Sequence, residues 1–376
     1  MKVWSGVNRS RTWIALSLFS NRLSRKQTHG LVSSSRNFSR NSALCGKGTV
    51  RRNMAPELID VDCNLLHKDM VTLQKIETSD PWNILKEDAV KDSNIVAMLS
   101  PSSTIIESER GLELLKTHPP PLDIKTTVGV HPYHVNDQSL IISGDGTKIT
   151  IEEQKSKIKH ILQADREGTT NQFCVAVGEC GLDASEGFPP LEDQIPWFEM
   201  QIEIAKELGL PLFVHERLAF DKAMELLEKI DPSDVPVIIH CFTGTKEECT
   251  AYIERGYFIS ISGYILKQSN SNYSEVVSCL EEGVIPLDKL MIETDAPYMG
   301  FDGCRQLYLE GNQAFVASLN SKKRKRLLQS IYPNVPSSLP MVLAKVTECF
   351  QKHDSSLTID SVAEATTANA RKFFGL

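Results

Sequence analysis

The fold is set by one stretch of sequence, Phe173-Cys-Val-Ala-Val-Gly-Glu-Cys-Gly-Leu-Asp183, in which an apolar run closes with two acids and two glycines. A strand covered by helices on both faces has no reason to alternate apolar and polar residues, so a continuous run predicts a buried parallel strand. Glu179 is expected where that strand ends, between Gly178 and Gly181, because glycine permits a sharp turn or a close approach to a ligand. The stretch therefore predicts a parallel sheet with a carboxylate at its carboxyl edge.

Three further apolar runs end in a side chain that can bind a metal or transfer a proton. These runs are residues 211–215, 236–240 and 289–295, and they end in His215, His240 and Asp295. A single histidine after such a run is more often a satisfied core residue than a ligand. Together with Glu179, the three side chains favour a common site, because parallel sheets build their sites at the carboxyl ends of their strands.

Strands and helices alternate from Glu57 onward. The clearest helices are predicted over residues 191–208 and 219–230, and eight strands over residues 57–65, 95–100, 125–131, 173–183, 211–215, 236–242, 257–264 and 289–295. Eight strand–helix units are the pattern of a closed (β/α)8 TIM barrel in an α/β protein, with an open doubly wound sheet as the alternative. The barrel is favoured because it brings side chains from the fourth, fifth, sixth and eighth strands to one axis.

The N-terminal segment differs in composition from the rest of the chain. Residues 1–56 contain eleven Lys or Arg and no Asp or Glu, whereas residues 57–376 carry 30 basic and 48 acidic residues, a net charge of −18. Residues 1–53 have the Arg-rich, Ser-rich composition of an organelle transit peptide, with a disordered basic tail as the alternative. We therefore predict a mitochondrial or other organellar protein whose hydrolase domain is residues 54–376, and a cytoplasmic or nuclear form if translation starts at Met54.

The acidic body argues against nonspecific coating of nucleic acid, so such contact requires a local basic patch. One patch is Ser321-Lys-Lys-Arg-Lys-Arg326, in a long segment after the last strand. Its Lys322, Lys323 and Arg324 are candidates for phosphate contact, with a solvated helix face or a nuclear signal as alternatives. The nine cysteines show no CxxC spacing and indicate reduced thiols. No stable membrane association and no obligate protein partner are predicted.

Two imidazoles and two carboxylates around one point suit a divalent ion such as Mg²⁺, Mn²⁺, Zn²⁺ or Co²⁺, with carboxylates able to bridge two ions. Such an ion lowers the pKa of bound water and polarises the oxygen of the group under attack. No phosphate-binding glycine loop and no Ser/His/Asp triad competes with this interpretation. The residues therefore predict metal-assisted hydrolysis.

Six motifs, in this order, resemble those of the TatD-type metal-dependent deoxyribonucleases. They are Val128-Gly-Val-His-Pro132, Gly178-Glu-Cys-Gly-Leu-Asp183, Leu210-Pro-Leu-Phe-Val-His-Glu-Arg217, His240-Cys-Phe-Thr-Gly244, Ile259-Ser-Ile-Ser-Gly263 and Glu293-Thr-Asp-Ala-Pro297. The resemblance covers residues 57–300 and, more weakly, the C-terminal helices. It implies a TIM barrel of the amidohydrolase type and a nuclease that needs Mg²⁺ or another divalent ion and often acts from a 3′ end on DNA.

The resemblance also implies roles for individual residues. The implied metal ligands are Glu179, His215, His240 and Asp295, of which Asp295 also activates water. His131 resembles a histidine that contacts substrate or assists proton transfer, with a turn residue before a proline as the alternative. Arg217 is a candidate for holding a phosphate oxygen, and Glu293 for a barrel-lining acid paired to Arg217.

The chain departs from the family at two places. Many relatives carry a His-x-His pair in the first strand, where this chain has Asp62 and Asn64. Asp62 can still bind a hard ion, so we expect one or two ions at the site. The replacement of histidine by aspartate favours Mg²⁺ or Mn²⁺ over Zn²⁺. After the eighth strand, an Arg-Asn-Glu-Pro-like stretch is replaced by the long basic and proline-rich segment.

The function favoured by the sequence is hydrolysis of DNA phosphodiester bonds by metal-activated water, in the 3′ to 5′ direction. One alternative is a metal-dependent hydrolase of a small-molecule amide or ester, because fold and metal do not fix the substrate. A second is a scaffold or binding protein without catalysis, against which the complete Glu179, His215, His240 and Asp295 set argues.

Overall fold

The computed structural model describes residues 55–73, 82–168 and 172–376, so the predicted transit peptide, residues 1–53, lies outside the described residues. The strands are β1 (Leu58–Asp60), β2 (Ile95–Ser100), β3 (Asp123–Val128), β4 (Cys174–Asp183), β5 (Leu212–Arg217), β6 (Val237–Ile239), β7 (Phe258–Ile261) and β8 (Leu290–Ile292). The described α-helices are α1 (Lys68–Leu73), α2 (Asp88–Asp92), α3 (Ile105–Thr117), α4 (Gln138–Ile141), α5 (Ile151–Gly168), α6 (Leu191–Leu208), α7 (Phe220–Leu227), α8 (Lys246–Glu254), α9 (Tyr273–Glu281), α10 (Gln306–Gly311), α11 (Gln313–Ser318), α12 (Ser321–Gln329), α13 (Leu339–His353) and α14 (Ile359–Phe374). Among these, none is long and apolar enough to cross a membrane.

The eight strands form one parallel sheet in which each strand pairs with the next along the chain. The segments that follow β8 and β1 join the two ends of the sheet. The N–H of Val61 donates to the carbonyl oxygen of Ile292 at 3.3 Å, and the N–H of Asp295 donates to that of Asp62 at 2.8 Å. The predicted TIM barrel is confirmed, and the open sheet is excluded.

Several strands are shorter than the apolar runs that predicted them. β6 and β8 are three residues long, so His240 and Asp295 follow their strands instead of ending them. Both runs stay buried beyond the strand, but Cys241 has a φ of 47° and Asp295 a φ of 49°. Because a residue in the left-handed region cannot continue an extended strand, the ladder of hydrogen bonds between strands ends there, while the following residues of the run remain buried.

Two sets of apolar side chains alternate along the strands. One set fills the space between the strands and the surrounding helices. The other lines the interior of the barrel and includes Phe213, which contacts Phe374 of α14 with ring centroids 6.4 Å apart. The Phe213 ring also stacks on the His240 ring, with ring centroids 4.6 Å apart. An apolar column therefore runs from the C-terminal helix up to a candidate ligand.

The long segment after β8 contains α10, α11 and α12 and is attached to the barrel by two buried side chains. Asn334 donates from its amide to the carbonyl oxygen of Thr294 at 2.9 Å, and its backbone N–H donates to Pro297 at 2.8 Å. Arg305, only 3% exposed, donates to backbone carbonyl oxygens of Leu327, Ser330, Tyr332 and Pro333. These bonds hold the segment beside the end of β8.

Candidate metal centre

Glu179 lies inside β4, so the prediction that it ends the strand was wrong. The strand continues to Asp183, and its register against β5 shifts between Val177 and Cys180. Gly178 and Gly181 flank the shift with φ values of 147° and 139°, and a Cβ at Gly181 would overlap the carbonyl oxygen of His215. The two glycines therefore permit an irregular strand that holds the Glu179 carboxylate, 7% exposed, among three histidines.

Three imidazole nitrogens converge on one carboxylate oxygen of Glu179. Its Oε1 lies 2.8 Å from Nε2 of His240, 3.3 Å from Nδ1 of His215 and 3.3 Å from Nε2 of His131. Burial would raise the pKa of Glu179, but the imidazoles of His131 and His240 lower it well below its usual range. The carboxylate is therefore ionised at neutral pH and can bind a cation.

Asp62 and Glu293 extend the cluster on the far side of His240. Nδ1 of His240 lies 3.1 Å from Oδ2 of Asp62 and 3.8 Å from Oε1 of Glu293. Among the described residues, none of these three buried atoms has a hydrogen-bond partner. Leaving a buried polar atom unpaired costs about 1–3 kcal/mol. Buried donor atoms of this kind fit a divalent cation, and two sets of candidate ligands, His131/Glu179/His215 and Asp62/Glu179/His240, share Glu179.

Asp295 lies beside these sets, joined to Asp62 through Asn64. The Asn64 amide nitrogen donates to Oδ1 of Asp62 at 3.1 Å and to Oδ1 of Asp295 at 3.3 Å. Burial raises the pKa of Asp295 to about 7. A carboxylate with a pKa near the working pH is suited to accept a proton from water.

Left-handed backbone concentrates around the centre. Of the five described non-glycine residues with positive φ, four follow the carboxyl ends of strands: Leu218, Cys241, Asp295 and Met299. Such conformations cost about 1–3 kcal/mol each and persist where the surrounding structure enforces them. The folded barrel therefore holds these loops, including Asp295 itself, in place.

Asp183 lies against His215, a role that the sequence pattern did not predict. The buried Asp183 Oδ2 lies 2.9 Å from Nε2 of His215, whose Nδ1 faces Glu179. Histidine ligands commonly donate their second N–H to such a carboxylate, which fixes the tautomer. Residues two apart in a strand share a face, so Asp183 lies on the same face as Glu179. That spacing was the signal that could have identified it.

The tautomer of His131 follows from its hydrogen bonds. Its Nδ1 accepts a hydrogen bond from the N–H of Tyr133 at 3.1 Å, and burial lowers its pKa to about 3. The neutral ring consequently carries its proton on Nε2, which points at Glu179. This arrangement suits a hydrogen-bond donor to substrate better than a metal ligand.

Arg217 and Glu293 do not form the ion pair that the sequence suggested. Glu293 is fully buried, accepts a hydrogen bond from the Ser260 hydroxyl at 2.6 Å and faces His240. Arg217 is half-buried at the end of β5, and within the described residues it has no ion pair within 4.0 Å. The N–H groups of its guanidinium therefore remain available to bind another acceptor.

The basic cluster lies on α12. Lys322 and Lys323 are exposed, and the described contacts do not join them to the metal centre. Arg324 donates to the carbonyl oxygens of Val316, Ala317 and Leu319 and so closes the end of α11. Of the three residues predicted to contact phosphate, Arg324 therefore already uses donors of its guanidinium within the protein.

Comparison with known proteins gives the family. The sequence model of a family described as TatD related DNase matches residues 59–375. A relative from Erwinia tasmaniensis named 3′-5′ ssDNA/RNA exonuclease TatD is 30% identical over 209 residues, covering 56% of this chain and 71% of that protein. A relative of the same name from Salmonella typhimurium is 33% identical over 207 residues, covering 55% and 70%.

Solved structures agree on the fold. A TatD family hydrolase from Entamoeba histolytica has a TM-score of 0.63 at 19% identity, covering 86% of this chain and 99% of that one. A TatD homologue from Escherichia coli has a TM-score of 0.62 at 22% identity, covering 85% and 98%. The family match runs from the second residue of β1 through the rest of the barrel and includes every residue of the cluster around Glu179. The chain therefore belongs to the TatD related DNase family and is a metal-dependent hydrolase.

Proposed function

We propose that the protein is a divalent-metal-dependent exonuclease that hydrolyses phosphodiester bonds from the 3′ end of DNA. The observation that carries the proposal is the convergence of His131, His215 and His240 on Glu179, beside Asp295, in a chain of this family. The relatives named 3′-5′ ssDNA/RNA exonuclease support the direction and the substrate class.

Each residue of the centre has a role in this proposal. Glu179, His215, His240, Asp295 and Asp62 would hold the metal, which when bound supplies a Lewis acid that activates water and polarises the phosphoryl oxygen. Asp295 would accept the proton of the attacking water, because its carboxylate lies beside the proposed ligands. Asn64 holds the Asp295 carboxylate in position, and Asp183 holds the His215 ring.

His131 and Arg217 would contact the substrate. His131 presents its Nε2–H towards the cluster and can donate to a phosphate oxygen as negative charge develops there. Arg217 can hold a second phosphate oxygen with its guanidinium. Lys322 and Lys323 are proposed as weaker contacts to the phosphate backbone, so binding should weaken as salt rises.

Mg²⁺ is proposed as the ion, with Mn²⁺ the next choice. Asp62, Glu179 and Asp295 supply hard carboxylate oxygens, which suit both ions, and imidazole nitrogens are better accepted by Mn²⁺. We propose that one or two ions would be held by these carboxylates together with His215 and His240. Calorimetric titration with Mn²⁺ should give one or two ions per chain, and a chain that binds none would refute the proposed centre.

The N-terminal composition supports an organellar location. Residues 1–53 are proposed as a transit peptide, and a chain that starts at Met54 is proposed to stay in the cytoplasm or nucleus. Fluorescent fusions of residues 1–60 and of residues 54–376 test both statements. An organelle signal from the first fusion alone is expected, and a diffuse signal from both would contradict the proposal.

The nuclease proposal is tested with the chain from Met54, on 5′-labelled single-stranded DNA, duplex DNA and RNA. Reactions contain Mg²⁺, Mn²⁺ or EDTA. The Asp295→Ala variant removes the proposed base, and Asp288→Ala removes an exposed acid at the amino end of β8 as the matched control. A ladder that shortens from the 3′ end, needs metal and Asp295 and survives Asp288→Ala is expected. Metal binding without cleavage of any nucleic acid would instead favour hydrolysis of a small molecule.

A further inference from the structure

Three aromatic rings form a group beside the metal centre, which we call the aromatic rim: His67, Tyr298 and Tyr332. Tyr298 and Tyr332 are 41% and 40% exposed, far more than tyrosines of the core such as Tyr252. Ring centroids are 5.4 Å apart for His67 and Tyr298 and 6.3 Å apart for Tyr298 and Tyr332. The rim therefore presents part of its ring surface to solvent.

Hydrogen bonds hold the rings in place. The Tyr332 hydroxyl donates to Oδ2 of Asp69 at 2.6 Å. Nδ1 of His67 accepts from the Asp69 N–H at 3.2 Å, so the neutral ring donates from Nε2 to the Tyr298 hydroxyl at 3.2 Å. Burial lowers the pKa of His67, which keeps it neutral. Because the rings are already fixed, a ligand that stacks on them has little side-chain entropy to remove.

The rim is connected to the centre through short contacts. The N–H of Tyr298 donates to the carbonyl oxygen of Asp295 at 2.6 Å, and the N–H of His67 donates to that of Asn64 at 3.0 Å. Asn64 in turn contacts both Asp62 and Asp295. The rings thus lie within a few residues of the groups proposed to hold the metal and activate water.

Tyr332 reaches this position because the segment after β8 is fixed from inside. Arg305 donates to the Tyr332 carbonyl oxygen at 3.0 Å, and Asn334 ties the next residues to Thr294 and Pro297. The segment that replaces the expected family stretch therefore delivers an exposed ring to the edge of the centre.

We propose that the aromatic rim stacks an unpaired nucleobase next to the phosphodiester bond to be cleaved; this rests on the proposed nuclease function. Every base has a flat face that stacks on aromatic rings, so such a site tolerates all sequences. Asp69 places a negative charge beside Tyr332, which disfavours a phosphate there and leaves the uncharged base as the better ligand. A paired base is stacked within the duplex and cannot reach the rim until the end opens.

The experiment uses single-stranded oligonucleotides with one abasic residue, placed in turn at each of the last three 3′ positions. For the wild-type protein, kcat/KM should fall about 5- to 150-fold at one of these positions, the range expected for one lost stacking contact. The Tyr332→Ala variant should show a similar fall in kcat/KM on the intact oligonucleotide. On the abasic oligonucleotide, its kcat/KM should be little lower than that of the wild type. Tyr332→Phe keeps the ring and should still discriminate between the intact and the abasic oligonucleotide. Leu328 is an exposed residue of the same segment, and Leu328→Ala should behave as the wild type.

Equal losses for Tyr332→Ala on intact and abasic substrates, or no loss on either, would overturn the stacking site. Fluorescence anisotropy in the Asp295→Ala background separates this proposal from the nuclease itself. If the protein binds single-stranded DNA in a Tyr332-dependent way but never cleaves it, the stacking site stands and the nuclease function is wrong. If it binds no single-stranded nucleic acid, the stacking site is wrong as well.

Discussion

Asp183→Asn tests the arrangement of the metal centre, because it changes the partner of His215 and keeps the bonds that hold the Asp183 backbone. The backbone of Asp183 is held on both sides by the Gln194 amide, with bonds of 2.8 Å each. The carboxylate accepts from the N–H of Ser185 through Oδ1 at 2.7 Å and faces His215 Nε2 through Oδ2 at 2.9 Å. Asparagine keeps the shape and offers only one acceptor for these two donors.

Either orientation of the new amide carries a cost. If its oxygen faces His215, the amide N–H groups meet the Ser185 N–H and one buried donor is left unpaired. If its nitrogen faces His215, the imidazole proton moves to Nδ1, which faces Glu179 and is the atom proposed to bind the metal. An unpaired buried donor costs about 1–3 kcal/mol, and loss of such a partner typically weakens metal affinity about 10- to 100-fold.

The assay is calorimetric titration of the wild type and Asp183→Asn with Mn²⁺, followed by nuclease activity as a function of Mn²⁺ concentration. We expect a 10- to 100-fold higher dissociation constant and a kcat that recovers towards the wild-type value at saturating Mn²⁺. Asp288→Asn, exposed at the other end of the barrel, is the control and should bind Mn²⁺ like the wild type. An unchanged Mn²⁺ affinity together with a lower kcat would refute the argument and place Asp183 in contact with substrate.

Three further predictions concern the barrel and its ion. Gly181→Ala should lower the free energy of unfolding, measured in urea, by about 1–3 kcal/mol and abolish Mn²⁺ binding. The reason is that the φ of 139° and the His215 carbonyl oxygen leave no room for a Cβ, and Mn²⁺ binding as in the wild type would contradict this. Phe374→Ala should cost about 3–5 kcal/mol of stability in the same measurement, because the ring is buried against Phe213, while kcat per folded molecule stays at the wild-type value. Dialysis against EDTA should lower Tm, and Mn²⁺ at 100 times its dissociation constant should raise the free energy of unfolding again by about 2.7 kcal/mol. A Tm that does not change with metal would mean that the folded centre does not bind Mn²⁺.

The barrel was predictable because continuous apolar runs and their order along the chain are local properties. The prediction failed for the position of Glu179, since a pattern of apolar residues does not reveal a shift of register. The glycines at 178 and 181 were recognised as permitting unusual backbone, yet the contact that requires glycine at 181 is with the carbonyl of His215, on another strand. Such a requirement is set by the packing of two strands and is not present in either one alone.

The candidate ligands were predictable, whereas their partners were only partly so. Glu179, His215, His240 and Asp295 stand after or within apolar runs, where an acid or a histidine is conspicuous. Asp183 was hidden because an acid near the end of a run is ordinarily a solvent-exposed residue, and only its distance of four residues from Glu179 marked it. Glu293 was predicted as a barrel-lining acid, but its partner was wrong, because the Ser260 hydroxyl that it binds comes from the neighbouring strand.

The segment after β8 shows why charge alone does not assign a role. In the sequence, the Lys and Arg cluster is its most conspicuous feature, and Arg305 is an isolated residue. In the structure, Arg324 closes a helix end, and Arg305 is buried with bonds to four carbonyl groups up to 28 residues away. A buried guanidinium surrounded by carbonyl oxygens fixes the path of the chain, and here that path places Tyr332 beside Tyr298 at the edge of the metal centre. We therefore infer that substrate is recognised from this segment through an uncharged ring, with exposed lysines adding only a salt-sensitive contribution.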